Sequence, residues 1–147
     1  MTPDEKIQEL NLILPEPIKL PPNLEMQFSW IRVSGNRVFI SGHVALNSDG
    51  SISEVTGKVG GAVTVEQGYE AARQTGLAIL SSLKQELGTL NNIIAWLRVF
   101  GMVNVEPGFV KTPPVINGFS DLIIDVFGKE IGNHSRSAVG MAELPFG

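Results

Sequence analysis

The sequence has no cysteine among its 147 residues, which excludes disulfide bonds, thiolate metal sites and a catalytic thiol. Chains without disulfides are typical of reducing compartments, so we predict a cytoplasmic protein. Charged residues are also scarce, at 18% against about 25% in an average domain. This shortage indicates that more surface is covered than one protomer covers alone, and it favours self-association.

Clustered positive charge is missing as well, since the formal net charge is −4. Tight binding to nucleic acid needs clustered cations that displace counterions, so no nucleic-acid partner is predicted. No apolar run approaches the roughly 20 residues that span a bilayer, and the N-terminus, MTPDEKIQEL, is too polar for a signal peptide. We therefore predict no membrane partner. The two histidines, His43 and His134, lack the spacing of metal ligands, so no metal site is predicted.

The length suits one domain, which buries roughly 70% of its unfolded surface on folding. We predict a single domain over residues 1–147, with a helix and an extended connection in 1–22 and a core in 28–147. Thr2 and Glu5 have the spacing of a capping box around Pro3, which marks the start of the first helix. The stretch LPEPIKLPPN is predicted to be extended, because prolines donate no backbone hydrogen bond.

A β-hairpin is predicted from FSWIRVSGNRVFISGHV. Phe28, Trp30 and Arg32 alternate with smaller or aliphatic residues, the triplet at 34–36 has turn composition, and 37–43 forms the returning strand. A loop rich in serine, glycine and aspartate follows.

The long second helix is predicted to begin at Thr64, with Gln67 at the capping-box position, and to end at Gly88. One apolar stripe runs along it, at Val65, Tyr69, Ala72, Gly76, Leu80, Leu83 and Leu87. The small side chains in its middle predict close packing against a sheet.

The remaining elements are a strand, a helix and a second strand. The near-continuous apolar run 93–105 is typical of a central strand that is covered on both faces. A helix then begins at Pro113 and Pro114, with Val115, Phe119, Leu122 and Val126 on its inner side. The last strand spans 135–144. The order predicts an α+β domain with its helices packed on one face of a mixed sheet.

The last strand carries an arginine, Arg136, within a run of small and apolar residues. A guanidinium keeps its proton at any workable pH, so its burial is costly unless an anion meets it. Either Arg136 points to water, or it binds a negative charge.

At SRSAVGMAELP the sequence resembles the closing signature of the reactive-intermediate deaminase (YjgF-like) family, in which an arginine begins R-[S/A]-x-V-x-x-A-x-L-P. The resemblance extends from about Phe28 to Leu144. It includes SGNRVFISGHV for the hairpin, YEAARQTGLAILSSLKQELG for the long helix, WLRVFGMVN for the central strand and INGFSDLIIDVFG for the second long helix. Four segments in the same order make the resemblance specific.

The resemblance implies a chorismate-mutase-like fold and a homotrimer with clefts between neighbouring subunits. It also implies hydrolysis of imines and enamines such as 2-aminoacrylate to 2-keto acids and ammonia, without a metal or an organic cofactor. In that chemistry the arginine, Arg136 here, holds the substrate carboxylate. A planar fork of N–H donors suits this role because it pairs with a carboxylate through two parallel bonds.

Further positions come from the same resemblance. Phe28 stands where relatives have a tyrosine, Ala138 where many have a cysteine, and Asn117 matches an asparagine of the second helix, while His43 occupies a place near the cleft. His134 precedes Arg136 by two residues, so both side chains leave the same face of the strand if the strand already runs there. His134 is either a proton relay beside the anion site or a solvated loop residue.

Relatives usually continue past Leu-Pro into a strand, VEIEA, whose glutamate orients the attacking water, whereas this sequence ends at Gly147. Either the protein extends further or it works without that acid, and Glu106 is a candidate replacement. Three functions stay open: a deaminase, a non-catalytic trimer that binds small carboxylates, and an endoribonuclease, which the acidic balance disfavours.

Overall fold

The computed structural model describes all residues, Met1 to Gly147. Three helices and four strands follow one another as α1 (Pro3–Glu9), β1 (Ile31–Ser34), β2 (Arg37–Ile40), α2 (Val65–Leu87), β3 (Arg98–Asn104), α3 (Thr112–Gly132) and β4 (Ser135–Met141). The predicted order of elements and the α+β class are confirmed. No helix combines the length and the apolarity that crossing a bilayer requires.

Both predicted capping boxes are present. The Thr2 hydroxyl accepts from the amide of Glu5 at the start of α1, and the Thr64 hydroxyl accepts from the amide of Gln67 at the start of α2. Gly88 ends α2 in the left-handed conformation, with φ of 78°. α1 ends at Glu9, because the next residue, Leu10, already has non-helical backbone geometry.

The two long helices pack against each other, and α3 also contacts β3 and β4. A side chain at Gly76 of α2 would meet Leu122 and Phe119 of α3, and a side chain at Gly118 of α3 would overlap the carbonyl of Tyr69 in α2. Gly76 of α2 therefore serves a helix–helix contact, whereas it was predicted to allow close packing against a sheet. The core lies mainly between these helices.

The strands form two separate pairs instead of one continuous mixed sheet. β1 and β2 are antiparallel, and β3 and β4 are parallel. The hairpin is shorter than predicted: the strand pairing begins at Ile31 rather than Phe28 and ends at Ile40 rather than His43. β4 likewise ends at Met141, three residues before the predicted Leu144.

β3 is covered on only one face. Gly101 and Val103 face α3, where a side chain at Gly101 would meet Ile116 and where Val103 is buried beside it. On the other face Phe100 and Met102 remain 57% and 42% exposed. The prediction that this strand is covered on both faces was therefore wrong for a single protomer, since no element of the same chain covers the second face.

The N-terminal segment is fixed to the long helices. Ile7 of α1 is buried in the main core, and Asp4 pairs with Lys84 near the end of α2 at 3.3 Å. Farther along, the carbonyl of Pro15 accepts a hydrogen bond from the buried hydroxyl of Ser81 at 2.6 Å. Residues 1–15 thus pack on the helical layer.

Candidate functional site

Arg136 lies in β4 opposite Val99 of β3, with its side chain directed towards α3. Its Nη1 donates to Oδ1 of Asn117 at 2.8 Å and to Oγ of Ser120 at 3.1 Å. Asn117 and Ser120 are three residues apart on α3, so they share one helix face. The structure thereby brings Arg136 together with Asn117, another of the predicted site residues.

The charge of Arg136 has no counter-ion within the chain. No carboxylate oxygen lies within 4.0 Å of its guanidinium, although the side chain is partly buried. The two hydrogens of Nη1 are directed to Asn117 and Ser120, which leaves the edge formed by Nη2 and Nε. That edge has the geometry for two parallel hydrogen bonds to a carboxylate.

His134 joins the same cluster through Ser120. Its Nε2 lies 2.9 Å from the Ser120 hydroxyl, and its Nδ1 lies 2.7 Å from the carbonyl oxygen of Gly132. A carbonyl only accepts, so Nδ1 carries the hydrogen, and in the neutral ring Nε2 accepts from the hydroxyl. We call Arg136, Asn117, Ser120 and His134 the Arg136 cluster.

Ser120 was missed by the sequence analysis. The signal was available, because a residue three positions after Asn117 on a helix shares its face. A side chain that contacts Asn117 can therefore also contact Ser120.

Ala138 lies on the same strand face as Arg136 but among apolar side chains. It packs against the smaller core cluster that contains Val115 and Ile116. Its carbonyl accepts from the Thr112 hydroxyl at 2.9 Å. Ala138 therefore adjoins the Arg136 cluster without adding a polar group to it.

Phe28 and His43 lie elsewhere in the protomer. Phe28 contacts Trp30 edge to face at a centroid distance of 5.1 Å, and Trp30 contacts His43 at 5.2 Å. These three rings line an open groove of about 920 Å³ that also follows β3. No member of the Arg136 cluster lines this groove, so one protomer does not unite all the predicted site residues.

Both ring nitrogens of His43 have partners within the chain. Nδ1 donates to the carbonyl of Ser41 at 2.7 Å, and Nε2 accepts from the Ser82 hydroxyl at 2.9 Å. Burial lowers the pKa of His43, although the bond to the Ser41 carbonyl opposes this effect. His43 is therefore a neutral link between the hairpin and α2.

The lowered pKa of His43 predicts a loss of stability in mild acid. Below pH 6.5 the unfolded chain takes up a proton at this residue before the folded chain does, so the free energy of unfolding falls as pH falls. In His43→Gln we expect a flatter profile between pH 7 and pH 5, measured by urea unfolding. The carboxyls of Asp4, Glu5 and Asp49 have lowered pKa values and titrate below this window. A variant profile as steep as that of the parent protein would contradict the assignment.

Glu106 lies far from the Arg136 cluster within one protomer. Arg136 is opposite Val99, and Glu106 follows seven residues later, roughly 23 Å along the strand direction. No three histidine, aspartate or glutamate side chains come close enough to share a metal ion.

Comparison with known proteins identifies close resemblances over nearly the whole chain. Residues 13–146 match the family described as "YjgF/chorismate_mutase-like, putative endoribonuclease". Protein TCP17 of Trypanosoma cruzi is 38% identical over 132 residues, which cover 88% of this chain and 81% of that protein.

Two solved structures have the same fold. The protein Atu1372 of Agrobacterium tumefaciens, described as having unknown function, superposes with a TM-score of 0.84 at 36% identity, covering 99% of this chain and 84% of that one. A "putative endoribonuclease" of Shewanella oneidensis superposes with a TM-score of 0.85 at 30% identity, covering 99% and 91%. The prediction of a chorismate-mutase-like fold is confirmed.

Proposed function

Because the chain belongs to the YjgF/chorismate mutase-like family, we propose that it binds small 2-imino and 2-keto carboxylates through Arg136 and hydrolyses reactive enamine or imine acids. The products are a 2-keto acid and ammonia. The observation that carries the proposal is the partly buried guanidinium of Arg136, which is held by two neutral partners and faces no carboxylate of its own chain.

For this reaction the protein mainly has to position the substrate and one water molecule. An imine carbon is already electrophilic, so fixing the substrate carboxylate and one water molecule removes much of the barrier. Asn117 and Ser120 hold Nη1 from one side, which restricts the rotation of the guanidinium. The remaining edge then holds the substrate carboxylate in one orientation.

We further propose that three copies of the chain assemble, with the clefts between them. The exposed second face of β3 supports this, since Phe100 and Met102 lie there. Burying such a side chain contributes about 1.5–3 kcal/mol. In this assembly the groove of one protomer, which contains Phe28 and His43, lies against the Arg136 cluster of its neighbour. The cytoplasm is the compartment we propose, from the absence of cysteine.

The assembly is tested by a charge placed on the exposed face. Phe100→Asp is expected to convert a trimer to a monomer, because three desolvated carboxylates cost far more than the apolar contact contributes. Light scattering coupled to size exclusion measures the mass. Ile13→Asp, at another exposed apolar residue outside the strands, serves as the control and should stay trimeric. A monomeric parent protein, or a trimeric Phe100→Asp, would contradict the proposed interface.

The activity is tested by mixing the protein with freshly generated 2-aminoacrylate and following the release of pyruvate and ammonia. We expect release faster than in buffer. A rate equal to that in buffer would reject the enzymatic function.

A second candidate is a trimer that binds small carboxylates without turnover. It is favoured by one observation: no acidic side chain hydrogen-bonds to any member of the Arg136 cluster, so the cluster has no carboxylate that activates water. Thermal shifts with pyruvate distinguish the two functions, since stabilisation by pyruvate without turnover of 2-aminoacrylate supports the second.

Endoribonuclease activity is a third candidate, because the matched family and the Shewanella protein carry that description. The formal net charge of −4 disfavours an RNA substrate. RNA left intact by purified protein would reject this candidate.

A further inference from the structure

Three consecutive hydrogen bonds connect Arg136 to the backbone at the end of α3. Nδ1 of His134 donates to the Gly132 carbonyl at 2.7 Å. Nε2 of His134 accepts from the Ser120 hydroxyl at 2.9 Å, and Ser120 Oγ accepts from Nη1 of Arg136 at 3.1 Å. Because a carbonyl only accepts, the direction of every bond in the series is fixed. The proton of Ser120 is thus turned to His134, and a lone pair of its oxygen faces Arg136.

A break in α3 at Gly128 brings His134 back to Ser120. The two residues are 14 positions apart in sequence, which corresponds to about 21 Å along an unbroken helix. Gly128 has φ of 77° and ψ of 167°, a backbone conformation that is essentially confined to glycine. The turn beyond it lies directly on the helix, since a side chain at Gly132 would approach the carbonyl oxygen of Ile123 to 3.0 Å. The fold therefore holds His134 against Ser120.

Bonds through both ring nitrogens do not by themselves mark a functional histidine. His43 makes the same two bonds, to the Ser41 carbonyl and the Ser82 hydroxyl, and there they link the hairpin to α2. His134 differs because the hydroxyl that it orients also accepts from a guanidinium. A hydrogen bond from a charged donor is roughly twice as strong as one between neutral groups. Orienting this hydroxyl therefore also restrains Arg136.

We propose that His134 is a positioning residue of the carboxylate site, a role that rests on the function proposed above. Ser120 and Asn117 together take both hydrogens of Nη1, so the guanidinium cannot rotate about its Cζ–Nε bond without losing these contacts. The ligand carboxylate then meets the opposite edge, formed by Nη2 and Nε, in one orientation. An edge that is already fixed loses less entropy when the ligand binds. His134 acts through Ser120 and Arg136 and does not touch the ligand.

Two substitutions separate the hydrogen bonds of His134 from the packing of its ring, which lies edge to face on Phe119 at a centroid distance of 6.2 Å. His134→Phe keeps a ring but offers no acceptor to Ser120, whereas His134→Gln loses the ring and keeps one donor and one acceptor. We expect the Kd for pyruvate to rise about 3–10-fold in His134→Phe, the effect of losing one hydrogen bond. In His134→Gln it should stay within about twofold of the parent value, because glutamine restores both bonds. Isothermal titration calorimetry measures the three values.

The same substitution in an Arg136→Lys background shows whether His134 acts through the guanidinium. Lysine keeps the charge but has no planar fork and no Nη1. The effect of His134→Phe on the Kd should then shrink to less than about twofold, because two residues that act through one contact are not additive. An equal fold-change in the two backgrounds would overturn the proposed role.

The restraint on Arg136 is also measurable without a ligand. Slow rotation about the Cζ–Nε bond should give Nη1 and Nη2 separate signals in proton–nitrogen NMR spectra of the parent protein, and in His134→Phe these signals should merge. Merged signals in the parent protein would overturn the restraint itself. If His134→Phe does not fold, Ser120→Ala removes the same contact and takes its place in both measurements.

The binding results separate this role from the proposed function. A parent protein that binds pyruvate with the same Kd as His134→Phe would overturn the positioning role alone. A Kd that rises in His134→Gln but not in His134→Phe would assign His134 to packing against Phe119 and would also overturn it. A parent protein that binds no pyruvate would overturn the role together with the proposed function.

Discussion

Replacement of Arg136 by alanine is expected to lower kcat/KM for 2-aminoacrylate by about 10²–10³-fold, the usual cost of truncating one partner of a buried charge pair. The guanidinium is the cation of the Arg136 cluster, and no other lysine or arginine bonds to Asn117 or Ser120. Its loss therefore removes the charge that holds the substrate carboxylate as well as the fork that orients it. Initial rates of pyruvate release, together with the Kd for pyruvate, measure the effect.

Two further arginine variants show whether the effect is specific. Arg136→Lys keeps the charge but loses the planar pair of donors, so we expect an intermediate rate. Arg37→Ala removes an exposed arginine of the hairpin, outside any ion pair, and should leave the rate unchanged. Equal rates for the parent protein and Arg136→Ala would show that the substrate carboxylate binds elsewhere.

The helices were the most predictable part of the fold, because their signals are local. Thr64, Gln67 and Gly88 mark the ends of α2 by side-chain and backbone geometry that does not depend on tertiary contacts. The inner face of α3 followed from spacing, and its four predicted residues are all buried: Val115, Phe119, Leu122 and Val126. What lies against each face is a tertiary property: the middle of the α2 stripe was predicted to lie against a sheet, whereas Gly76 meets α3.

The sequence could not predict which face of β3 the same chain covers, because both faces carry apolar residues. Val103 is buried against α3, whereas Phe100 is 57% exposed, and the two residues look equally suited to burial. An apolar run indicates that both faces are to be covered, but not whether another protomer covers one of them.

The site was predictable to the extent that its residues share one strand or one helix. Arg136 and His134 are two residues apart, and both reach Ser120. Phe28 and His43, far from them in sequence, line a groove that the Arg136 cluster does not reach. Whether the two regions form one site depends on the assembly proposed above.

Gly118→Ala is expected to destabilise the protein by about 3 kcal/mol or more, at the upper end of the cost of overpacking. The added methyl group would overlap the carbonyl oxygen of Tyr69 and lie 2.8 Å from its carbonyl carbon. Backbone atoms within α2 cannot move aside individually, so the two helices must separate. Folded domains typically have a free energy of unfolding of 5–15 kcal/mol, so the variant would lose roughly a third of it. Urea unfolding followed by circular dichroism measures the change.

Two other glycines provide a graded comparison. At Gly76 a methyl group would meet the side-chain ends of Leu122 and Phe119 at 2.7 and 3.1 Å, and these can rotate, so we expect a smaller loss. At Gly42 nothing lies within 4 Å, and alanine there should change the free energy of unfolding by less than about 1 kcal/mol. A Gly118→Ala variant no less stable than Gly76→Ala would contradict the backbone contact. Because Asn117 precedes Gly118, separation of the helices should also displace the amide that holds Arg136, so the residual folded protein should bind pyruvate more weakly.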